Sequence, residues 1–175
     1  YGGLVLHDVT TMRHAGKALD SGVDGLILVC AGAGGHAGTL NPFAFVGEMR
    51  GRYDGPLVLA GSITRGGDIA AARAMGADLV YMGTRFIASH EANAASGYKT
   101  MIVESGAGDV LYTPFFTGIS GNYLKSSIRA AGLDPDDLPI VTKYQANFGS
   151  GRTKAWRDVW GAGQGVGAIK AVASV

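Results

Sequence analysis

The stretch Ala33-Gly34-Gly35-His36-Ala37-Gly38 sets an imidazole in a glycine-rich segment directly after an apolar run, Gly25 to Val29. Glycines let a backbone approach a flat or anionic ligand closely, and an imidazole titrates near neutral pH, where it can accept a proton. The chemistry this suggests is general-base catalysis by His36 beside a ligand platform. A plainer role stays open on the residues alone: a loop histidine also serves as a helix cap or a surface hydrogen-bonding group. Two further segments, Gly61-Ser62-Ile63-Thr64 and Tyr81-Met82-Gly83-Thr84, end apolar runs with small residues and precede helix-like stretches. Backbone N–H groups at such turns suit a phosphate, so the pair predicts a phosphate cup with the anion between the Gly61 and Gly83 turns. Gly-Ser and Gly-Thr are also ordinary turn and capping pairs. Arg85, next in sequence, is suited either to neutralising the anion or to a surface ion pair.

Other reactive side chains fit chemistry less well. His7 falls in a strand-like run, His14 in a helix-like one, and His90 stands beside Glu91, a spacing that matches no metal site. No metal is assigned. Cys30 closes an apolar run with no neighbouring cation to lower its pKa, which makes it a buried bystander and not a nucleophile. Ser62 lacks the G-x-S-x-G surroundings of a hydrolase elbow.

The elements that must position these residues recur as β-α units. Leu4 to Val9 reads as a strand, with Thr10 and Thr11 as caps for a helix from Met12 to Leu19. Gly25 to Val29 reads as a second strand, followed by the glycine-rich loop and a helix from Pro42 to Arg50 opened by Asn41. Leu57 to Ala60 is a third strand, leading to an Ala-rich helix, Asp68 to Met75, ended by Gly76. Leu79 to Met82 is a fourth, with a helical stretch from near Arg85. Strands apolar on both faces and separated by helices imply a parallel sheet, hence an α/β fold. An echo, Gly22-Val23-Asp24 and Gly76-Ala77-Asp78 before two strands, is explained by glycine as a helix C-cap. Four units are half of a (β/α)₈ barrel of about 250 residues, or else a small open doubly wound sheet.

Residues 91–175 are less regular, with a helix-like Tyr98 to Ser105, an aromatic run Tyr112 to Phe116, an amphipathic Tyr123 to Ala131 and a glycine-rich tail from Thr153 to Ala173. They read as a mainly helical appendage on residues 1–90, with Trp156 and Trp160 as core anchors four apart on a helix.

Composition narrows the partners. The 175 residues are 47% hydrophobic and carry fifteen Lys and Arg against fourteen Asp and Glu, with no basic run to track a phosphate backbone, so nucleic acid is not expected. The most apolar stretch, Gly25 to Ala33, is shorter than the roughly 20 residues of a membrane span. One cysteine and no visible signal peptide predict a cytoplasmic protein. The chain enters an apolar run straight after Tyr1-Gly2-Gly3, as a chain starting mid-domain would.

In order, the motifs Gly-Val-Asp, Ala-Gly-Gly-His, Leu-Ala-Gly-Ser-Ile and Gly-Ala-Asp-Leu-Val-Tyr-Met-Gly-Thr-Arg-Phe resemble those of the nitronate monooxygenases, formerly 2-nitropropane dioxygenases. The resemblance covers nearly the whole chain. It implies an FMN-dependent barrel in which the loop histidine deprotonates a nitroalkane or stabilises its nitronate, the flavin takes one electron, and O₂ completes oxidation to a carbonyl compound and nitrite. The catalytic histidine falls on His36, and flavin contacts on Gly34 with its neighbour Gly35, on Gly61 and Ser62, and on Tyr81, Met82, Gly83 and Thr84. Two positions depart from the pattern. Val29-Cys30-Ala31-Gly32 stands where the family often has Gln-Gly-x-Glu, removing a flavin-contacting Gln and a carboxylate, and Ser62 replaces the second glycine of a Gly-Gly turn. The family's N-terminal half of the barrel is not among these residues, and a half-barrel with two open edges is expected to self-associate. Two alternatives remain: a flavin-dependent enoyl reductase using NAD(P)H, which shares the Ala-Gly-Gly-His region, and a catalytically silent barrel binding a phosphorylated ligand.

Overall fold

A computed structural model describes residues 2–139 and 153–175; Tyr1, noted above, lies outside them. In chain order the elements are β1 (Leu6–Val9), α1 (Met12–Asp20), β2 (Gly25–Val29), β3 (Gly35–His36), α2 (Pro42–Arg50), β4 (Leu57–Ala60), α3 (Gly66–Met75), β5 (Leu79–Tyr81), α4 (Thr84–Ile87), α5 (Ser96–Glu104), β6 (Val110–Thr113), β7 (Gly121–Leu124) and α6 (Lys125–Ala130). They form two compact units, residues 2–33 with 37–82, and residues 34–36 with 83–139 and 153–175.

The first unit is the expected parallel α/β layer. Its four strands run in the order β1-β2-β4-β5, with Leu26 opposite Leu57 and Ala60 opposite Tyr81. The two-residue period of a strand decides what each face meets. Leu26, Leu28 and Cys30 join Leu57 and Leu59 against Phe45, Val46 and Met49 of α2 and Ala15 and Ala18 of α1. Ile27 and Val29 turn the other way, toward Ala33, Ala37 and Ala60. Each buried Leu or Phe contributes about 1.5–3 kcal/mol over its exposed state, so the two central strands hold the layer together. The outer strands are more open: Leu6 of β1 and Leu79 and Tyr81 of β5 are exposed.

Local signals set the helix ends. Thr11 accepts the His14 N–H at 3.1 Å, Asn41 accepts the Phe43 N–H at 2.9 Å with Pro42 behind it, and Gly76 closes α3 in the left-handed conformation. The Gly-x-Asp echo does more than cap helices. Asp24 accepts the Val5 N–H at 2.7 Å, and Asp78 accepts the Leu57 N–H at 2.8 Å while also binding Arg50. Each carboxylate thus satisfies a backbone donor at the start of the neighbouring strand, a role the glycine explanation leaves out.

The helix α3 begins later in the sequence reading than in the fold, because Asp68 folds back over the turn before it. Its carboxylate accepts the Thr64 and Arg65 N–H groups, each at 3.0 Å, and the Arg65 guanidinium. That guanidinium, more than the backbone donors, holds the Asp68 carboxyl down to about 2. A pKa depressed on folding gives stability that is present above the unfolded value near 3.9 and is lost as pH falls through about 2. Acid should therefore weaken the cap between about pH 4 and pH 2, and Asp68→Asn should flatten that part of the melting temperature against pH curve. An unchanged acid limb would show that the cap contributes nothing.

The second unit pairs β6 with β7 and β7 with β3, all antiparallel. Two expectations are corrected here. The stretch from Tyr123 to Ala131 is not one amphipathic helix: Tyr123 and Leu124 pair with Leu111 and Val110, and helix begins only at Lys125. A short apolar run suits strand and helix equally, and here the partner strand decides. Nor is the tail from Thr153 to Ala173 helical, apart from a 3₁₀ stretch at Gln164–Ala168. Each glycine there costs a helix about 1 kcal/mol, while extended chain finds other partners. The Leu124 N–H binds the Trp160 carbonyl at 2.9 Å, and the Trp160 N–H binds the Ser127 hydroxyl at 2.9 Å. Residues 91–175 therefore carry sheet as well as helix.

Candidate active site around His36

His36 does not hang in a loop. With Gly35 it forms β3, in register with Gly121 and Asn122 of β7. The pairing is close enough that a Cβ on Gly121 would lie 2.9 Å from the Gly35 carbonyl oxygen and 3.3 Å from the His36 nitrogen, so glycine is required there. The imidazole is exposed, and its Nε2 lies 2.8 Å from the Thr117 hydroxyl. Nδ1 has no partner among the described residues. The Trp156 indole stands edge-on to the ring with centroids 5.6 Å apart, and also packs on Tyr123.

Trp156 is not on a helix with Trp160, and it is half exposed. Its φ of 70° is a conformation bulky residues avoid, and a Cβ on Gly161 would come within 2.8 Å of its ring. Trp160 stacks on Tyr98, 4.9 Å between centroids, which makes it the structural member of the pair. Thr117, Tyr123 and Trp156 were all missed as site residues. They are far from His36 in sequence, and no spacing rule links them; only the β3–β7 pairing brings them near.

The expected flavin contacts divide between the units. Gly34, Gly35, Gly83 and Thr84 share the second unit with His36, whereas Gly61, Ser62, Tyr81 and Met82 belong to the first. Gly34 packs so closely that a Cβ would lie 2.9 Å from the Gly163 nitrogen and 3.2 Å from the Thr84 hydroxyl. The Thr84 oxygen already accepts the Gly163 N–H at 2.9 Å, so it ties the tail in place. Arg85 makes no ion pair among the described residues: its guanidinium donates to the carbonyls of Ala171 and Ala88. A Cβ on Gly83, in contrast, would meet nothing within 4 Å. In the first unit Gly61 and Met82 leave neighbouring strands at the same end, since Ala60 pairs with Tyr81. The N–H groups of Ser62, Gly66 and Gly67 have no protein acceptor among the described residues. Within the first unit, uncommitted backbone N–H groups at the Ser62 turn and at the start of α3 are the kind of donors that suit an anion.

Ser62 has φ 58°, the left-handed conformation a glycine would adopt freely. Ser62→Gly relieves strain of about 1–2 kcal/mol and adds back part of it as unfolded-chain entropy, for a net gain of about 0.5–1 kcal/mol. That corresponds to a rise of about 1–4 °C in melting temperature; a fall would mean that the serine side chain holds this turn.

The remaining candidates have contacts within the fold. Cys30 is fully buried and burial pushes its thiol up to about 12, far from a reactive thiolate. His7 and His14 contact the Asp8 carbonyl and the Thr10 hydroxyl. Among the described residues there is no group of three metal-ligating side chains, and no helix is long and apolar enough to cross a membrane.

The parallel sheet with helices between its strands defines an α/β fold of the class that includes many enzymes. The chain belongs to the nitronate monooxygenase family, whose model matches residues 1–134. It is 28% identical over 157 residues to a nitronate monooxygenase of Paraburkholderia phytofirmans, covering 85% of this chain and 43% of that one. With a probable nitronate monooxygenase of Staphylococcus saprophyticus it shares 32% over 173 residues, or 86% and 48% of the two chains. Among solved structures, FabK from Thermotoga maritima matches 99% of this chain and 57% of its own at 26% identity and a TM-score of 0.77. Nitroalkane oxidase from Streptomyces ansochromogenes matches 70% and 39% at 32% identity and a TM-score of 0.66. The chain spans about half the length of the curated relatives it matches.

Proposed function

We propose that this chain carries the base and part of the cofactor site of an FMN-dependent enzyme oxidising nitronates or nitroalkanes with O₂ to a carbonyl compound and nitrite. One observation carries the reading: within a nitronate monooxygenase family chain, His36 is fixed through β3 and through Nε2, while Nδ1 has no partner among the described residues. A neutral Nδ1 can take the α-proton of a nitroalkane. The C–H bond breaks, its proton moves to nitrogen, and its electron pair enters the nitro group to give the nitronate. Trp156 places an apolar ring beside the imidazole.

FMN, when bound, supplies the electron acceptor that no side chain here provides. The residues proposed to contact it, as the family resemblance implies, are Gly34, Gly35, Gly61, Ser62, Tyr81, Met82, Gly83 and Thr84. The same reading makes residues 1–90 the C-terminal β/α units of an FMN-binding (β/α)₈ barrel and residues 91–175 an appendage to it.

The likeness to FabK favours a second reading, flavin-dependent reduction of an enoyl group with NAD(P)H. Anaerobic addition of propionate 3-nitronate should bleach the yellow absorbance of flavin-loaded protein, and NAD(P)H should not. Bleaching by NAD(P)H alone would reverse the choice between the two.

A further inference from the structure

Thr117 meets three groups with a single hydroxyl. Its O–H lies 2.9 Å from the Ile119 carbonyl, its oxygen accepts the Ile119 N–H at 3.3 Å, and His36 Nε2 lies 2.8 Å away. A hydroxyl has one proton and two lone pairs, and a carbonyl can only accept. The proton therefore goes to Ile119, one lone pair to the Ile119 N–H, and the other is left to accept from Nε2–H. With its proton on the Ile119 carbonyl, Thr117 has none to offer the imidazole.

We infer that Thr117 is a positioning residue that holds neutral His36 in its Nε2–H tautomer and so directs the basic lone pair of Nδ1 to the substrate. The inference rests on the reading of His36 as the base. Without this bond the neutral ring distributes its proton between the two nitrogens and rotates more freely, and only part of the population presents a base at Nδ1. When the ring takes up a proton, Nε2–H stays on Thr117 and the bond strengthens, since its donor has become charged.

The tautomer is readable without turnover. ¹⁵N spectra of the labelled full chain at about pH 9, above the ordinary imidazole range near 6.5, should show His36 with protonated Nε2 and bare Nδ1. Thr117→Val should give a mixture of tautomers, and Thr117→Ser should restore the wild-type pattern. In flavin-loaded protein, Thr117→Val should slow nitroalkane oxidation about threefold to tenfold, the range one neutral hydrogen bond supports, and leave preformed nitronate within about twofold. Thr117→Ser should retain both rates. A wild-type ring protonated on Nδ1, or a Thr117→Val protein with unchanged tautomer and rates, overturns the inference. Failure of the base reading looks different: His36→Ala would then leave nitroalkane and nitronate rates equally affected, whatever the tautomer in the wild type.

Discussion

Replacing His36 by alanine should slow the oxidation of a neutral nitroalkane by roughly 10²- to 10⁴-fold, the usual worth of a positioned general base. A preformed nitronate has already lost its proton, so its oxidation should fall far less. The comparison separates proton removal from everything else the imidazole does. The flanking structure supports a clean result, because β3 is held by backbone pairing to Gly121 and Asn122, and the imidazole is exposed. Equal losses on the two substrates with flavin retained would remove His36 from the role of base and leave it a ligand-binding group.

The second large effect concerns the cofactor. Gly83→Leu should weaken FMN binding by tenfold or more, a loss of about 1.4 kcal/mol, measured by fluorescence titration of the apoprotein. The position suits this test because a Cβ there meets nothing within 4 Å and φ is −109°, so the fold accommodates the side chain. Gly61 would be a poor choice: at φ 137°, with a Cβ 3.0 Å from the Ala31 carbonyl, a substitution there disturbs the turn itself. Unchanged FMN affinity in Gly83→Leu, with an unchanged melt, would place the flavin elsewhere.

Much of the first unit was legible in the sequence because local chemistry and burial agree there. The limits of β2, α2 and β4 match the apolar runs and caps, and Asn41 with Pro42 marks the start of α2. Buried central strands leave no competing pattern. The second unit was harder, since short apolar runs and glycines leave strand and helix close in energy until a partner is chosen. Tyr123 is the clearest case: its period suits a helix, but pairing with Leu111 makes it strand. The candidate base was legible from its glycine-rich setting, whereas its neighbours were not. Thr117 lies 81 residues from His36 in sequence, and Trp156 reaches the ring through a backbone conformation that no pattern announces. Thr84 and Arg85 also have tertiary partners that no local pattern announces, the Gly163 N–H and the carbonyls of Ala171 and Ala88.

Under the proposed function the flavin-loaded protein oxidises a nitronate at the expense of O₂. Oxygen uptake by flavin-loaded protein with propionate 3-nitronate, with nitrite measured in the same vessel and no NAD(P)H added, tests it most directly. Oxygen should be consumed, with nitrite appearing in the amount of nitronate consumed. No oxygen uptake and no nitrite from protein that holds its flavin would contradict it.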